Sequence, residues 1–109
     1  MQINLTKLRA IMMESGLKVY RDDAPMEAEY PYIVYEFVNE TAKRSSSKVF
    51  KSMPMYQITV VTDGTEEDCE PLKATFNEYQ VEYSQIEGMP YDENDDKIMQ
   101  FITYVRCVR

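Results

Sequence analysis

The feature that most constrains the fold is a proline followed at once by an apolar run, in the segment YPYIVYEF at residues 30–37. Pro31 has no backbone N–H and favours extended geometry in the residue before it, so it suits the first position of a strand. Alternate side chains of a strand point to opposite faces of the sheet. Ile33, Tyr35 and Phe37 therefore share one wholly apolar face, which we predict to be the core side.

The size and composition of the chain predict one globular domain spanning residues 1–109. A chain of this length buries enough surface for one modest core. No apolar run approaches the ~20 residues that cross a bilayer, and the N-terminal residues lack a signal-peptide pattern. We therefore expect a cytoplasmic protein with no membrane partner. Cys69 and Cys107 lie far apart in sequence, and we expect both to be buried, reduced thiols.

Hydrophobic periodicity and turn residues predict the order α-(β)-β-β-α-β-β. The predicted elements are a helix at residues 4–15 capped by Asn4 or Thr6, a short strand at 17–20, a strand from Pro31, a strand at about 50–62, a helix starting near Asp68, a weak strand at 81–87 and a final strand at 97–108. This order predicts an α+β fold: a mostly antiparallel sheet of about four to five strands with two helices packed on one face.

The second face of the predicted sheet is more apolar than contact with water requires. Its candidate exposed residues are Tyr32, Val34, Val38, Ile102 and Tyr104. Two interpretations stay open. These residues are scattered surface hydrophobics, which are common, or the face packs against a neighbouring subunit.

The formal charge of −7 is unevenly distributed along the chain. Residues 39–49 are rich in serine and charge without periodicity, which predicts a flexible basic loop. Acidic residues gather elsewhere, for example at residues 63–70. Because opposite charges on separate parts of one chain suit contact between copies, we predict a subunit interface. Its candidate residues are Lys43, Arg44, Lys48, Lys51, Asp63, Glu66, Glu67 and Asp68.

Chemistry that needs a conventional active site finds little support in the sequence. The chain has no histidine, which removes the commonest general base and metal ligand. Residues 92–96 match the start of a calcium-binding EF-hand loop, but Lys97 stands where that loop needs glycine. We expect no catalytic residues, no metal site and no cofactor. An acidic chain is also a poor generic nucleic-acid binder, so we expect no specific nucleic-acid site.

The order of the elements and the segments PYIVYEF, MYQITVVTD, LKATFNEY and MQFITYVRCV, taken together, resemble a known family. The chain resembles, over nearly its whole length, the small tail-completion or tail-terminator proteins of long-tailed, non-contractile bacteriophages and prophages. The resemblance lies in element order, length and strand composition rather than in a catalytic or ligand motif.

This resemblance implies a non-enzymatic virion protein that assembles as a ring, commonly a hexamer, where the tail meets the head. Such a ring terminates the tail tube and joins it to the filled capsid. The implied partners are copies of itself, the tail-tube protein and the head-completion or connector proteins, with DNA passing through the ring. This leaves two partners open for the basic loop: an acidic surface of the next subunit, or the DNA if the loop faces the lumen. The implied locations are the host cytoplasm during assembly and then the virion tail or neck. The alternative is a small acidic inhibitor or adaptor that acts by binding another protein.

Overall fold

The computed structural model describes residues 3–45, 48–92 and 95–109, which form one five-stranded sheet with helices on one face. The elements in chain order are α1 (Leu5–Glu14), β1 (Lys18–Arg21), β2 (Tyr32–Ser45), β3 (Lys48–Thr62), a 3-10 turn (Glu66–Cys69), α2 (Glu70–Glu78), β4 (Glu87–Asp92) and β5 (Asp95–Arg106). The order of strands across the sheet is β1-β2-β3-β5-β4. The predicted α+β class and element order are confirmed.

Most strand pairs are antiparallel, as predicted, but β1 makes the sheet mixed. β1 runs parallel to β2, with Val19 opposite Ile33, whereas the pairs β2–β3, β3–β5 and β4–β5 are antiparallel. A parallel neighbour requires a crossover connection instead of a tight turn. The acidic segment at residues 22–31 provides this crossover.

Local sequence signals determine where both helices begin. The side chain of Asn4 accepts a hydrogen bond of 2.8 Å from the backbone N–H of Lys7, which confirms the predicted N-cap of α1. After α1, Gly16 adopts a φ of +86°, which glycine reaches without the steric cost that a Cβ atom imposes. Thr65 caps the 3-10 turn by accepting from the N–H of Glu67, and the helix continues with Pro71 in the first turn of α2, where no N–H is needed.

The core lies between the two helices and one face of the sheet. The buried residues from the helices include Leu8, Ile11, Met12, Leu72 and Phe76, and those from the sheet include Ile33, Tyr35, Tyr56, Ile58, Val60 and Val105. The predicted core side of β2 is thus confirmed for Ile33 and Tyr35. Phe37, however, is 45% exposed, because it lies at a register shift where β2 leaves the helical layer.

The segment predicted as a flexible loop at residues 39–49 is largely paired strand. β2 continues to Ser45 and β3 begins at Lys48, and the two strands pair with each other along this length. Among the described strands, β5 is the other neighbour of β3, and its pairing with β3 reaches only as far as Met55. Residues 40–45 and 48–54 therefore form a two-stranded extension, which we call the arm. A loop was predicted because the polar, serine-rich strands of the arm bury neither face and so show no alternation of apolar and polar residues.

Two elements near the C-terminal half differ from the prediction. Of the weak strand expected at residues 81–87, residues 81–86 are irregular and β4 begins only at Glu87, while Val81 packs into the helical core at the end of α2. Residues 88–96, where the sequence predicted no strand, hold most of β4 and the start of β5. Gly88 and Pro90 disfavour a strand by propensity, but β4 is an edge strand, where both residues are tolerated.

Candidate assembly interface

The base of the arm is held by Arg106, near the end of β5. Its guanidinium donates hydrogen bonds to the Oδ1 of Asn39 at 2.9 Å, to the Oγ1 of Thr41 at 3.3 Å and to the backbone carbonyl of Met53 at 3.1 Å. These acceptors belong to both strands of the hairpin. Because a guanidinium presents several donors in a rigid plane, one side chain fixes both strands at the point where they leave the sheet.

The residues after β5 extend this support along the arm. The N–H of Cys107 donates to the carbonyl of Pro54 at 2.7 Å, and that of Arg109 donates to the carbonyl of Ser52 at 3.3 Å. The side chain of Arg109 also pairs with Glu40 at 2.6 Å. A hydrogen bond from Ser52 and the pairing with Arg109 lower the pKa of Glu40.

The predicted basic residues all lie near the tip of the arm. In the register of the hairpin, Lys43 stands opposite Lys51, Arg44 opposite Val49, and Lys48 opposite Ser45. Their side chains lie outside what the structure describes, so their place is known from the backbone alone. Glu40 is the one carboxylate in residues 39–51, and Arg109 neutralises it. The arm therefore presents a net positive charge.

The predicted acidic residues form a turn at the opposite end of β3. Asp63, Glu66 and Glu67 are exposed, and Asp68 is half-buried. Glu66, Glu67 and Asp68 occupy the first turn of a helix, where the helix dipole favours carboxylates. The hydroxyl of Thr62 donates to the carboxylate of Asp68, so Asp68 serves the local structure. We call residues 63–70 the acidic turn.

The arm and the acidic turn cannot meet within one subunit. Strand β3 runs from Lys48 at the tip of the arm to Thr62 beside the acidic turn. At ~3.3 Å per residue this strand is about 45 Å long, which is most of the 52 Å long axis of the chain. The structure thus places the two predicted charge clusters far apart and does not bring them together.

The second face of the sheet, which we call the open face, is covered at one end and bare at the other. Val34 and Ile102 are half-buried, whereas Val38 is 43% and Tyr104 37% exposed. Val38 is the extra residue of a β-bulge, because Phe37 and Asn39 pair with consecutive residues of β3. No helix of the described residues packs on this face.

Tyr32 was predicted to be exposed on the second face of the sheet, and this prediction is wrong. It is only 7% exposed, because Tyr30 stacks on its ring at 5.6 Å and Tyr20 meets it edge-on at 5.7 Å. Burial raises the pKa of Tyr32, and the nearby Tyr91, Tyr30 and Asp23 add to the effect. Several tyrosines lie close to Pro31 in the sequence, which could have indicated that Tyr32 is covered. The two residues that cover its ring, Tyr20 and Tyr30, lie outside β2.

A small cavity of about 130 Å³ lies on the open face beside Tyr32. Three carboxylates line it, from Asp22, Asp23 and Glu36, together with the polar side chains of Gln57, Thr59 and Gln100. Gln57 donates to Glu36 at 3.1 Å, which orients that carboxylate. The residues that line the cavity, all within the described chain, include neither lysine nor arginine.

The sequence did not indicate the roles of Arg106 and Arg109. Their partners lie 67 and 69 residues away in sequence, and no local pattern encodes such pairs. The carboxylates of the cavity were also missed. Asp22 and Asp23 belong to the acidic segment between β1 and β2, and their position over the sheet depends on that crossover.

Two further features of the structure concern metal ligands and membrane-spanning helices. Within residues 3–45, 48–92 and 95–109, no group of three or more histidine, cysteine, aspartate or glutamate side chains is arranged to hold a metal ion. The helices in this part of the chain also fall short of the length and hydropathy of a membrane span. Of the calcium-loop residues, Glu93 and Asn94 lie outside the described residues.

Comparison with known proteins finds similarity in structure. No protein-family model matches the sequence, and no curated protein matches it either. Among solved structures, the chain is similar to a chain from the virion of a native gene transfer agent (GTA) particle. The two share 13% sequence identity and a TM-score of 0.62, over 94% of this chain and 88% of the other. This protein therefore has the fold of a chain found in that virion.

Proposed function

We propose that this protein is a structural component of a phage or prophage virion that completes the tail tube and joins the tail to the head, assembling as a ring. It acts by binding copies of itself, the tail-tube protein and the head-completion or connector proteins, with DNA passing through the ring. Its role requires no catalysis and no cofactor. The protein belongs to the host cytoplasm during assembly and to the virion tail or neck afterwards.

The observation that carries this proposal is the fold shared with a chain of a gene transfer agent virion, over nearly the full length of both chains. The strand and helix segments of the sequence independently resemble tail-completion proteins. One similarity rests on backbone geometry and the other on sequence composition. Both favour a virion protein over an inhibitor or adaptor.

The distribution of charge supports assembly through contacts between unlike surfaces. The positively charged arm projects beyond the sheet, and the acidic turn lies at the other end of β3. Contact between two different surfaces of one chain generates a ring when the rotation between subunits closes. We propose that the arm binds an acidic surface of the adjacent subunit. The acidic turn, with Asp63, Glu66, Glu67 and Asp68, is one candidate for that surface.

The test is negative-stain electron microscopy of the purified protein, alone and mixed with tail tubes of a related long-tailed phage. We expect caps at one end of the tubes, a narrower distribution of tube lengths, and ring-shaped particles. Light scattering of the assembled species is expected to give a mass several times the 12.8 kDa of the chain. The variant Lys43→Glu/Arg44→Glu is the matched comparison, and we expect it to cap fewer tubes.

Tubes that stay uncapped and unchanged in length would contradict the proposal, even if the protein folds normally. Finding only monomers of the isolated protein would not contradict the proposal, because a terminator that assembles only on its tube is monomeric when isolated. A monomer that ignores the tubes but retains an unrelated bacterial protein in pull-down would favour the acidic adaptor instead.

A further inference from the structure

We propose that the acidic end of the open face is the receptor for the basic arm of a second copy of this chain. This inference deepens the proposed function and rests on it. A lysine or arginine from the neighbouring arm would enter the cavity beside Tyr32, and the rest of the arm tip would lie along the sheet. The acidic turn becomes the competing receptor that the experiment must exclude.

The charge of the open face fits a basic occupant. Asp22, Asp23 and Glu36 converge on the cavity from the loop after β1 and from β2. Arg21 meets Asp22 only at 4.0 Å, and 70% of the Asp22 side chain is exposed, so that carboxylate remains available. Arg106, on the same face near the arm, is already bound to Asn39, Thr41 and Met53.

The size and lining of the cavity suit the end of one side chain. Its volume of about 130 Å³ is below the ~300 Å³ at which small-molecule pockets begin. Tyr91, which is 52% exposed, presents aromatic surface among the acidic residues. A cation gains both from the carboxylates and from the face of a tyrosine ring. This combination favours an ammonium or guanidinium group over a neutral or anionic one.

The occupant must come from another subunit. Lys43 lies on the same strand as Glu36, seven residues further along, so an extended chain separates them by about 24 Å. The arm cannot fold back onto its own open face without breaking the paired register of β2 and β3. A second copy supplies the complementary charge without any such rearrangement, in a head-to-tail contact.

The first experiment exchanges charges and measures self-association by sedimentation at low and high salt. Lys43→Glu/Arg44→Glu and Asp23→Lys/Glu36→Lys are each expected to weaken self-association roughly tenfold or more at low salt. Mixing the two variants restores complementary pairs and is expected to return association to within about threefold of the original chain. As the matched control, the mixing experiment is repeated with Glu66→Lys/Glu67→Lys in place of Asp23→Lys/Glu36→Lys. Circular dichroism confirms that each variant is folded.

The second experiment detects a contact too weak for sedimentation. A Lys43→Cys chain is mixed under oxidising conditions with a Gln57→Cys chain, whose new thiol lies on the open face, or with a Glu67→Cys chain as the control. Cys69 and Cys107 are buried and contribute little to cross-linking. We expect a disulfide-linked heterodimer with the open face and much less with the acidic turn.

The possible outcomes separate this inference from the proposed function. Rescue and cross-linking at the open face support it. Rescue or cross-linking at the acidic turn overturns it, while the ring proposal stands. Absence of cross-linking at both sites also overturns it, and if the protein still caps tail tubes the proposed function survives unaffected.

Discussion

Arg106 in β5 donates a hydrogen bond of 2.9 Å to Asn39 in β2, across the intervening strand β3. This contact lies directly beside the bulge at Val38, where the arm leaves the sheet. The same guanidinium binds the opposite strand of the arm through the carbonyl of Met53. The arm is therefore held by the sheet at its base, although in the described residues no third strand pairs with its two strands.

Replacing Arg106 by alanine is expected to loosen the arm while the core stays folded. Loss of several hydrogen bonds from one charged, half-buried group costs about 1–2 kcal/mol. Hydrogen exchange measured by mass spectrometry should speed up by roughly tenfold in the arm and change little in α1 and α2. Arg9→Ala, at an exposed position of α1, is the control and should leave the exchange pattern unchanged. Equal acceleration across the whole chain would mean that Arg106 supports the core instead.

The contact between Glu40 and Arg109 predicts how the arm responds to acid. The pKa of Glu40 is lowered below its ordinary value of 4.5, first by the hydrogen bond from Ser52 and then by Arg109. A carboxylate with a lowered pKa stabilises the folded state above the ordinary value, and this contribution is lost as pH falls through the lowered value. The arm should therefore be insensitive to pH between 7 and 5.

Carbon-13 NMR of the Glu40 carboxyl group tests this relationship directly. Its titration midpoint is expected below 4.5 in the original chain. Both Ser52→Ala and Arg109→Ala should move the midpoint upwards, and Ser52→Ala should have the larger effect. If neither substitution moves the midpoint, the contacts do not persist in solution.

Phe76 anchors α2 to the sheet and is 1% exposed, with its ring centre 5.4 Å from that of Tyr83. Phe76→Ala leaves a cavity in a close-packed core, and we expect it to lower the free energy of unfolding by about 3–5 kcal/mol. Met13→Ala removes a side chain that is 59% exposed and should cost less than about 0.5 kcal/mol. Urea denaturation of the two variants measures the difference. Similar losses would place Phe76 outside the cooperative core.

Cys69 and Cys107 are buried, and burial raises the pKa of each thiol to about 11. A raised pKa stabilises the folded state fully below the ordinary value of 9.0, and this contribution is lost as pH rises from there towards 11. Stability should therefore fall over this window. The variant Cys69→Ala/Cys107→Ala, although less stable at pH 7, should show a flatter dependence there. A thiol reagent should react at least ~100-fold faster with unfolded than with folded protein.

Gly88 allows β4 to lie close to β5. A Cβ atom at this position would approach the Cε1 atom of Phe101 to 2.7 Å, so Gly88→Ala must displace the ring. We expect a loss of about 1–2 kcal/mol in the free energy of unfolding, typical of overpacking. Met89→Ala, next in the same strand, is the control and should cost less. An unchanged melting temperature in Gly88→Ala would show that the ring moves freely.

The sequence predicted those parts of the fold that bury one face. Ile33 and Tyr35 alternate with outward-facing neighbours, and Leu8, Ile11 and Met12 recur at helical spacing, so both kinds of element were identified together with their core sides. Asn4 was identified as a cap because the interaction is local. Burial and local hydrogen bonding leave periodic signals that a single sequence records.

The remaining features depend on partners distant in sequence. The arm buries neither face, so its strands show no alternation and resemble a loop. Tyr32 alternates towards the exposed side but is covered by Tyr20 and Tyr30. Nothing near Arg106 in sequence indicates Asn39 as its partner. Charge clustering identified the arm, whereas the carboxylates around the cavity converge only after β1 and β2 have paired.

The order in which the chain is synthesised gives the Arg106 contact a further consequence. Translation proceeds from the N-terminus, so the β2–β3 hairpin emerges well before β5, and Arg106 follows Asn39 by 67 residues. Until then the arm exists without its anchor, and β3 lacks one of its two neighbours. We therefore expect a chain that ends before Arg106 to lack the contacts that align the arm, so that it would be a poor partner in assembly even if the β2–β3 hairpin forms.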